Sequence, residues 1–240
     1  MDLKIKDVVE LLNVSETTIR RWLAEGKIPA YRLNHQYRFS RFEIEDWVMS
    51  QKLKHTAAPF SEEKKNRMNE RKGRKVRGGN QQYSLYRAIH KGGVLQDIPG
   101  KTKEEVIRAT MQLIANKLKL DVDVITELLL DRESLQSTAL NNGLGLPHTR
   151  DCLLTAGQDV VTVVFPETPI PYEALDGEPV HTLFFLFACD DKRHLHLLAK
   201  IAHLSQLPET LTLLRSKPSK QKLLEYIKEW EGRIQKVQKE

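Results

Sequence analysis

Two cysteines in 240 residues, Cys152 and Cys189, form no metal-spaced set, and their scarcity fits a reducing compartment. No CxxC pair is present. No run of 18 or more apolar residues occurs, which excludes an ordinary membrane-spanning helix. The opening Met1-Asp2-Leu3-Lys4-Ile5-Lys6 lacks the apolar region of a signal peptide, so a cytoplasmic protein is expected. There is also no glycine-rich nucleotide loop, no metal-spaced cluster and no Ser-His-Asp arrangement. The expected chemistry therefore uses no cofactor and no metal.

What is present is ordinary in amount and uneven in distribution. Apolar residues make up 40% and charged residues 29%, as in a globular chain, and the length suits one or two domains. Residues 1–54 carry 10 Lys and Arg against 8 Asp and Glu, and residues 55–80 carry 8 against 3. Residues 81–240 carry 20 against 21. The basicity lies at the front and in the segment that follows, which is where an electrostatic footprint for nucleic acid is sought.

Within residues 1–54, Val8, Leu11 and Leu12 share one face of a helix beginning near Lys6. Ser15 is a suitable N-cap for a second helix, Glu16 to Leu23, in which Ile19, Trp22 and Leu23 gather on one side. Thr17, Arg20 and Arg21 then fall on the other side, giving a helix-turn-helix. Ala30 to Leu33 and Tyr37 to Phe39 read as two short strands. Their alternation predicts Tyr31, Leu33, Tyr37 and Phe39 inward, and Arg32 and Arg38 outward as a basic wing. Ser40 and Glu43 have capping-box spacing before a third helix carrying Ile44, Trp47 and Val48. The runs Val14 to Trp22, Glu25 to Tyr31 and Tyr37 to Phe39 resemble the excisionase-type members of the MerR-like winged helix-turn-helix family. That resemblance implies DNA as a partner, with Thr17, Arg20 and Arg21 as base or phosphate contacts and Arg32 and Arg38 as phosphate contacts.

Residues 55–80 lose apolar periodicity and read as a basic flexible linker that can add phosphate contacts.

Residues 81–240 interleave helices with strands, which predicts an α/β domain with a covered, mixed sheet flanked by helices. Thr102 and Glu105 form a capping box before a helix burying Val106, Leu113 and Ile114, and Asp121 caps another carrying Val124, Ile125, Leu128 and Leu129. Strands are expected at Val160 to Phe165 and Val180 to Phe187, and helices from His194 to Leu204 and from Ser219 to about Lys236. In Asn142-Gly143-Leu144-Gly145-Leu146-Pro147-His148 the glycines leave one strand face bare, and Pro147 ends the ladder just before a histidine. His194 stands at a helix start, and Arg132 lies on the approach to the first strand. Two histidines and an arginine at one sheet edge suit phosphoryl transfer, because a neutral imidazole nitrogen is nucleophilic and a phosphoryl group needs donors around it.

Leu130-Asp131-Arg132-Glu133, Ser137-Thr138, Asn142 to His148, Asp176 to Val180 and His194 to Ala199 resemble the IIA domain of the phosphotransferase system, of fructose/mannitol/nitrogen-regulatory type. The resemblance spans about residues 83–230. It implies His148 as phospho-acceptor, His194 as the second active-site histidine and Arg132 as a phosphate-stabilising residue. It also implies an HPr-type phosphocarrier as donor partner. Ala139 and Asn141 stand where the family usually has glycine, Gly145 where it commonly has alanine, and Thr149 where a smaller residue is common. The expected protein is a DNA-binding regulator that senses phosphotransferase status. The alternatives are a phosphoryl carrier serving a sugar-transport IIB component and a nitrogen-type regulator binding target proteins. No membrane partner is expected, and a homodimer is among the expected assemblies.

Overall fold

The computed structural model describes residues 2–12, 14–33, 36–54, 83–149, 153–154 and 159–237. The basic segment 55–80 lies outside them. The first unit comprises β1 (Asp2–Lys4), α1 (Ile5–Leu12), α2 (Glu16–Ala24), β2 (Tyr31–Leu33), β3 (Gln36–Ser40) and α3 (Arg41–Lys54). Ser15 caps α2 by accepting from the Thr18 amide at 3.1 Å, as its position predicts. Ile19, Phe39, Ile44 and Val8 are fully buried in the small core, and Trp22 meets Trp47 with ring centroids 5.4 Å apart.

The strand expectation at the wing needs correction. In the antiparallel sheet β1-β3-β2, Tyr31 pairs with Arg38, and Arg32 pairs with Tyr37. Directly paired residues share a face, so Arg32 lies beside Tyr37 while Tyr31 and Leu33 turn away from the core. Tyr31 and Leu33 are exposed, whereas Phe39 is buried opposite Leu3. Loop-to-strand register, invisible in a three-residue alternation, sets the faces.

The second unit comprises α4 (Ser84–Gly92), β4 (Val94–Ile98), α5 (Lys103–Leu118), α6 (Val122–Leu135), β5 (Ala139–Leu140), β6 (Leu144–Gly145), β7 (Val160–Pro166) and β8 (Thr182–Phe187). It continues with α7 (Asp191–Leu204), α8 (Pro208–Arg215) and α9 (Lys220–Val237). Its sheet has order β4-β7-β8-β6-β5, parallel at β4-β7 and β6-β8 and antiparallel at β7-β8 and β5-β6. Alternation along β7 and β8 divides the core. Val161, Val163, Phe165, Phe184 and Leu186 meet residues of α4, α7 and α9, while Val160, Val164, Leu183 and Phe185 meet those of α5 and α6. Both faces are covered, as the apolar runs predict.

Thr102 accepts from the Glu105 amide at 3.2 Å, but the Glu105 carboxylate reaches back to Lys101 N at 2.7 Å rather than to the cap itself. Leu113 is 50% exposed, contrary to expectation, because α5 presents Val106, Thr110, Met111 and Ile114 to the sheet. The elements α4, β4 and α8 carry weak sequence signals. β4 is an edge strand with polar Gln96 and Asp97, and α8 is eight residues long.

α4 ends directly against β7. A Cβ built on Gly92 would lie 2.2 Å from the Val161 carbonyl oxygen and 2.5 Å from its carbon. Both neighbours are backbone and cannot rotate aside. Gly92→Ala is therefore expected to destabilise the domain by about 3 kcal/mol, the upper end for overpacking, read as a lowered denaturation midpoint at unchanged slope.

Candidate active site

His148 is held by backbone on both sides. Leu186 N donates to Pro147 O at 3.0 Å, and Leu146 N donates to Thr138 O at 3.0 Å. His148 itself forms a parallel bridge with Leu186, past the end of β6. The turn before β6 places Asn142 and Gly143 at φ of 68° and 75°, and His181 N donates to Gly143 O at 2.8 Å. The face that glycine leaves bare is filled from within. A Cβ on Gly145 would lie 2.6 Å from a Leu183 methyl, and one on Gly143 would lie 2.6 Å from the His181 ring. These glycines serve strand packing, not ligand approach.

The His148 side chain is fully buried. Its Nδ1 lies 2.7 Å from the Leu146 carbonyl, which can only accept. Nδ1 therefore carries a hydrogen, and Nε2 is the nitrogen directed into the site. The His194 ring lies 5.3 Å away, centroid to centroid, on the first turn of α7. Asp190 caps that helix through Arg193 N at 2.9 Å, and Arg193 is held to Asp159 at 2.6 Å. Arg132, in the last turn of α6, is turned into the site while Nη1 donates to Gln136 O at 2.9 Å. The three residues expected from sequence therefore converge.

Glu133 holds this corner. Its carboxylate accepts from Thr138 N at 3.0 Å, from the Thr138 hydroxyl and from the Tyr172 hydroxyl at 2.9 Å. Burial, then the Glu133 charge, pushes the Tyr172 hydroxyl well above its ordinary range, so it stays a donor.

The residue not anticipated is Glu45, on α3 of the first unit. Its Oε1 is 2.6 Å from His148 Nε2, and its Oε2 is 3.7 Å from His194 Nε2. Arg132 Nε is 3.7 Å from Glu45 Oε1, and Arg132 Nη2 is 3.7 Å from Asp46 Oδ1. Burial alone would raise the Glu45 carboxyl, but the hydrogen bond from His148 and the surrounding charges, Arg132 among them, hold it at about 2. Burial, followed by the His148 ring and opposed by Glu45, brings His194 down to about 3, so it is neutral near pH 7. A glutamate beside Ile44 on a short helix reads in sequence as a solvated charge. Only contact between units makes it a site residue.

Glu45, His148 and His194 also bring three donor atoms within 4.8 Å of one another, a spacing a metal ion could use. The Arg132 guanidinium on the same carboxylate and the charge of Arg41 acting on His194 oppose a dication. The donors suit an anion better.

Thr17, Arg20 and Arg21 are exposed on α2, Arg20 being paired with Glu16 at 2.7 Å. Arg32 stacks over Tyr37 at 4.9 Å, and Arg38 donates to Gln36 Oε1 at 3.0 Å. The two wing arginines lie on opposite faces of the hairpin, not on one as expected. His181, His196 and His203 contact Thr182, Ser84 and Trp230, away from the site. Among the described residues no helix is long and apolar enough to cross a membrane.

Residues 88–230 match the family described as phosphoenolpyruvate-dependent sugar phosphotransferase system, EIIA 2, and residues 3–52 match a helix-turn-helix domain. The chain is 33% identical over 147 residues to a nitrogen regulatory protein of Pseudomonas aeruginosa, across 60% of this chain and 94% of that one. Its helix-turn-helix segment is 52% identical over 46 residues to the transcriptional repressor DcmR of Methylorubrum extorquens, 19% of this chain and 17% of that protein. The crystal structure of nitrogen regulatory protein IIA-Ntr from Neisseria meningitidis superposes with a TM-score of 0.51 at 24% identity. It covers 57% of this chain and 93% of its own, a likeness of fold.

Proposed function

This chain belongs to the EIIA 2 family of the phosphoenolpyruvate-dependent sugar phosphotransferase system, and we propose that it is a DNA-binding regulator whose IIA domain accepts a phosphoryl group on His148. The donor is an HPr-type phosphocarrier, and phosphorylation couples phosphotransferase status to transcription.

The observation that carries this reading is the set of buried donors around His148 Nε2. Arg132 Nε has no hydrogen-bond partner among the described residues, and neither has His194 Nε2, a donor in the tautomer that carries its hydrogen there, although both side chains are buried. Unpaired buried donors are costly, and phosphoryl oxygens would satisfy both. In the transfer, the Nε2 lone pair attacks phosphorus while the bond from phosphorus to the carrier's nitrogen breaks and its electron pair returns to that nitrogen. Arg132 and neutral His194 steady the oxygens, and Leu146 O keeps the proton on Nδ1.

The exposed Thr17, Arg20 and Arg21 are read as the DNA-facing set, supported by the likeness to a transcriptional repressor in this segment. Arg20→Ala with Arg21→Ala is expected to weaken DNA binding and to lower the salt slope by about one for each phosphate that is no longer neutralised. The experiment is DNA titration over a salt series, with and without phosphorylation. Identical affinities of the two forms would sink the coupling and leave DNA binding intact.

A nitrogen-type regulator acting by protein binding is the second reading, favoured by the likeness to nitrogen regulatory proteins. It predicts a phosphorylation-dependent protein partner and no effect on DNA affinity. Carriage of phosphate to a IIB component is tested by the same labelled protein.

A further inference from the structure

We infer that the winged helix is itself the resident ligand of the phosphorylation site: Glu45 occupies the place of the phosphoryl group, and docking of the winged helix and phosphorylation of His148 exclude each other. This rests on the proposed acceptor role of His148.

Geometry carries the inference. The His148 ring faces the site through Nε2, and Glu45 Oε1 sits there at 2.6 Å, leaving the ring with no exposed surface. Phosphoryl transfer needs phosphorus to arrive at that nitrogen in line, so no donor protein can reach it while α3 is in place. The docked ring is also not a nucleophile. Nδ1 faces a carbonyl and Nε2 faces a carboxylate, and both contacts are hydrogen bonds only if each nitrogen carries a hydrogen. Attack requires that the Nε2 hydrogen leave for solvent as Glu45 withdraws, which frees the lone pair.

The docking surface is built from further charge pairs. Arg41 pairs with Asp191 at 2.8 Å, Lys192 with Asp7 at 2.7 Å, and Arg132 lies 3.7 Å from Asp46. α1 and α3 both pack on α7, and apolar residues of both units join one continuous cluster. The packing is carried by α1 and α3, so the exposed Thr17, Arg20 and Arg21 on α2 are not part of the latch. Release therefore changes the freedom of the DNA-binding unit instead of uncovering α2.

Glu45 is an incomplete occupant. It sits 3.7 Å from both His194 Nε2 and Arg132 Nε, too far for hydrogen bonds. A phosphoryl group on Nε2 has three oxygens to offer these donors, and its dianion would face the Glu45 and Asp46 carboxylates. A phosphoryl group formed once α3 has withdrawn therefore fills the place of Glu45 and repels its return.

The test uses the full chain with phosphoenolpyruvate, enzyme I and an HPr-type carrier. Acid-labile labelling of His148 is timed, and small-angle scattering is recorded before and after. Glu45→Ala is expected to label about tenfold faster than wild type, since the competent fraction rises. Arg41→Glu, which sets two acids against each other at Asp191, is expected to do the same, and Asp191→Arg added to it should restore slow labelling. Phosphorylated wild type is expected to be larger in solution, independently of protein concentration. Labelling of both single variants at the wild-type rate or slower overturns the inference, as does unchanged scattering from fully phosphorylated protein. Reduced compactness on dilution of unphosphorylated protein assigns the docking to a second copy and overturns it as well. If no variant takes up label, the acceptor role itself fails, and the latch falls with it.

Discussion

His148→Ala is expected to take up no acid-labile phosphate from the carrier mixture, a drop on the order of a thousandfold or more against wild type. No neighbour can substitute. His194 is buried, and in the docked form burial followed by the His148 ring holds it down to about 3. Its ring is also fixed on the α7 first turn, with Nε2 directed at the same place that the His148 group would occupy. The fold should survive the change, because Leu186 N still donates to Pro147 O and Leu146 N to Thr138 O, both at 3.0 Å, although Leu146 O loses its imidazole donor. Circular dichroism checks that point, and quantitative labelling checks the chemistry. Label on the variant equal to wild type would move the acceptor elsewhere.

The second large effect is on stability. Glu133→Ala is expected to destabilise the IIA domain by about 3 kcal/mol or more, since each buried donor left without its acceptor costs about 1–3 kcal/mol. Three donors lose their acceptor at once: the Thr138 amide, the Thr138 hydroxyl and the Tyr172 hydroxyl. All lie where water has little access, since Glu133, Thr138 and Tyr172 are buried. The same network positions the 136–138 turn whose Gln136 carbonyl steadies Arg132, so labelling of His148 should slow in whatever protein remains folded. Denaturant titration gives the energy. A decrease below about 1 kcal/mol would mean that solvent reaches these donors after the substitution.

Much of the site is readable in the sequence because the three residues expected in it sit within recognisable local patterns. Pro147 before His148 ends a strand by covalent geometry, and His194 follows an apolar strand near the start of a helix, which begins three residues earlier, at Asp191. The apolar runs of β7 and β8 signal strands buried on both faces, and both are. The departures have equally local reasons. Leu113 reads as buried because it stands beside Ile114, yet a helix buries only a stripe, and that stripe runs through Val106, Thr110, Met111 and Ile114. The wing is misread because three-residue strands do not reveal their register, which sets Arg32 against Tyr37.

From sequence alone come the two units, the helix-turn-helix pattern, the α/β class and the proposed nucleophile, because propensity, capping and proline act over a few residues. The run ending at His148 also suggests a bare strand face, and neighbouring side chains fill it. Glu45 could only be found in three dimensions. It lies 103 residues before His148, and its role depends on α1 and α3 packing against α7. Charge carries no address along a chain. The tertiary structure alone decided that a carboxylate from the helix-turn-helix unit would lie 2.6 Å from Nε2 of the proposed acceptor.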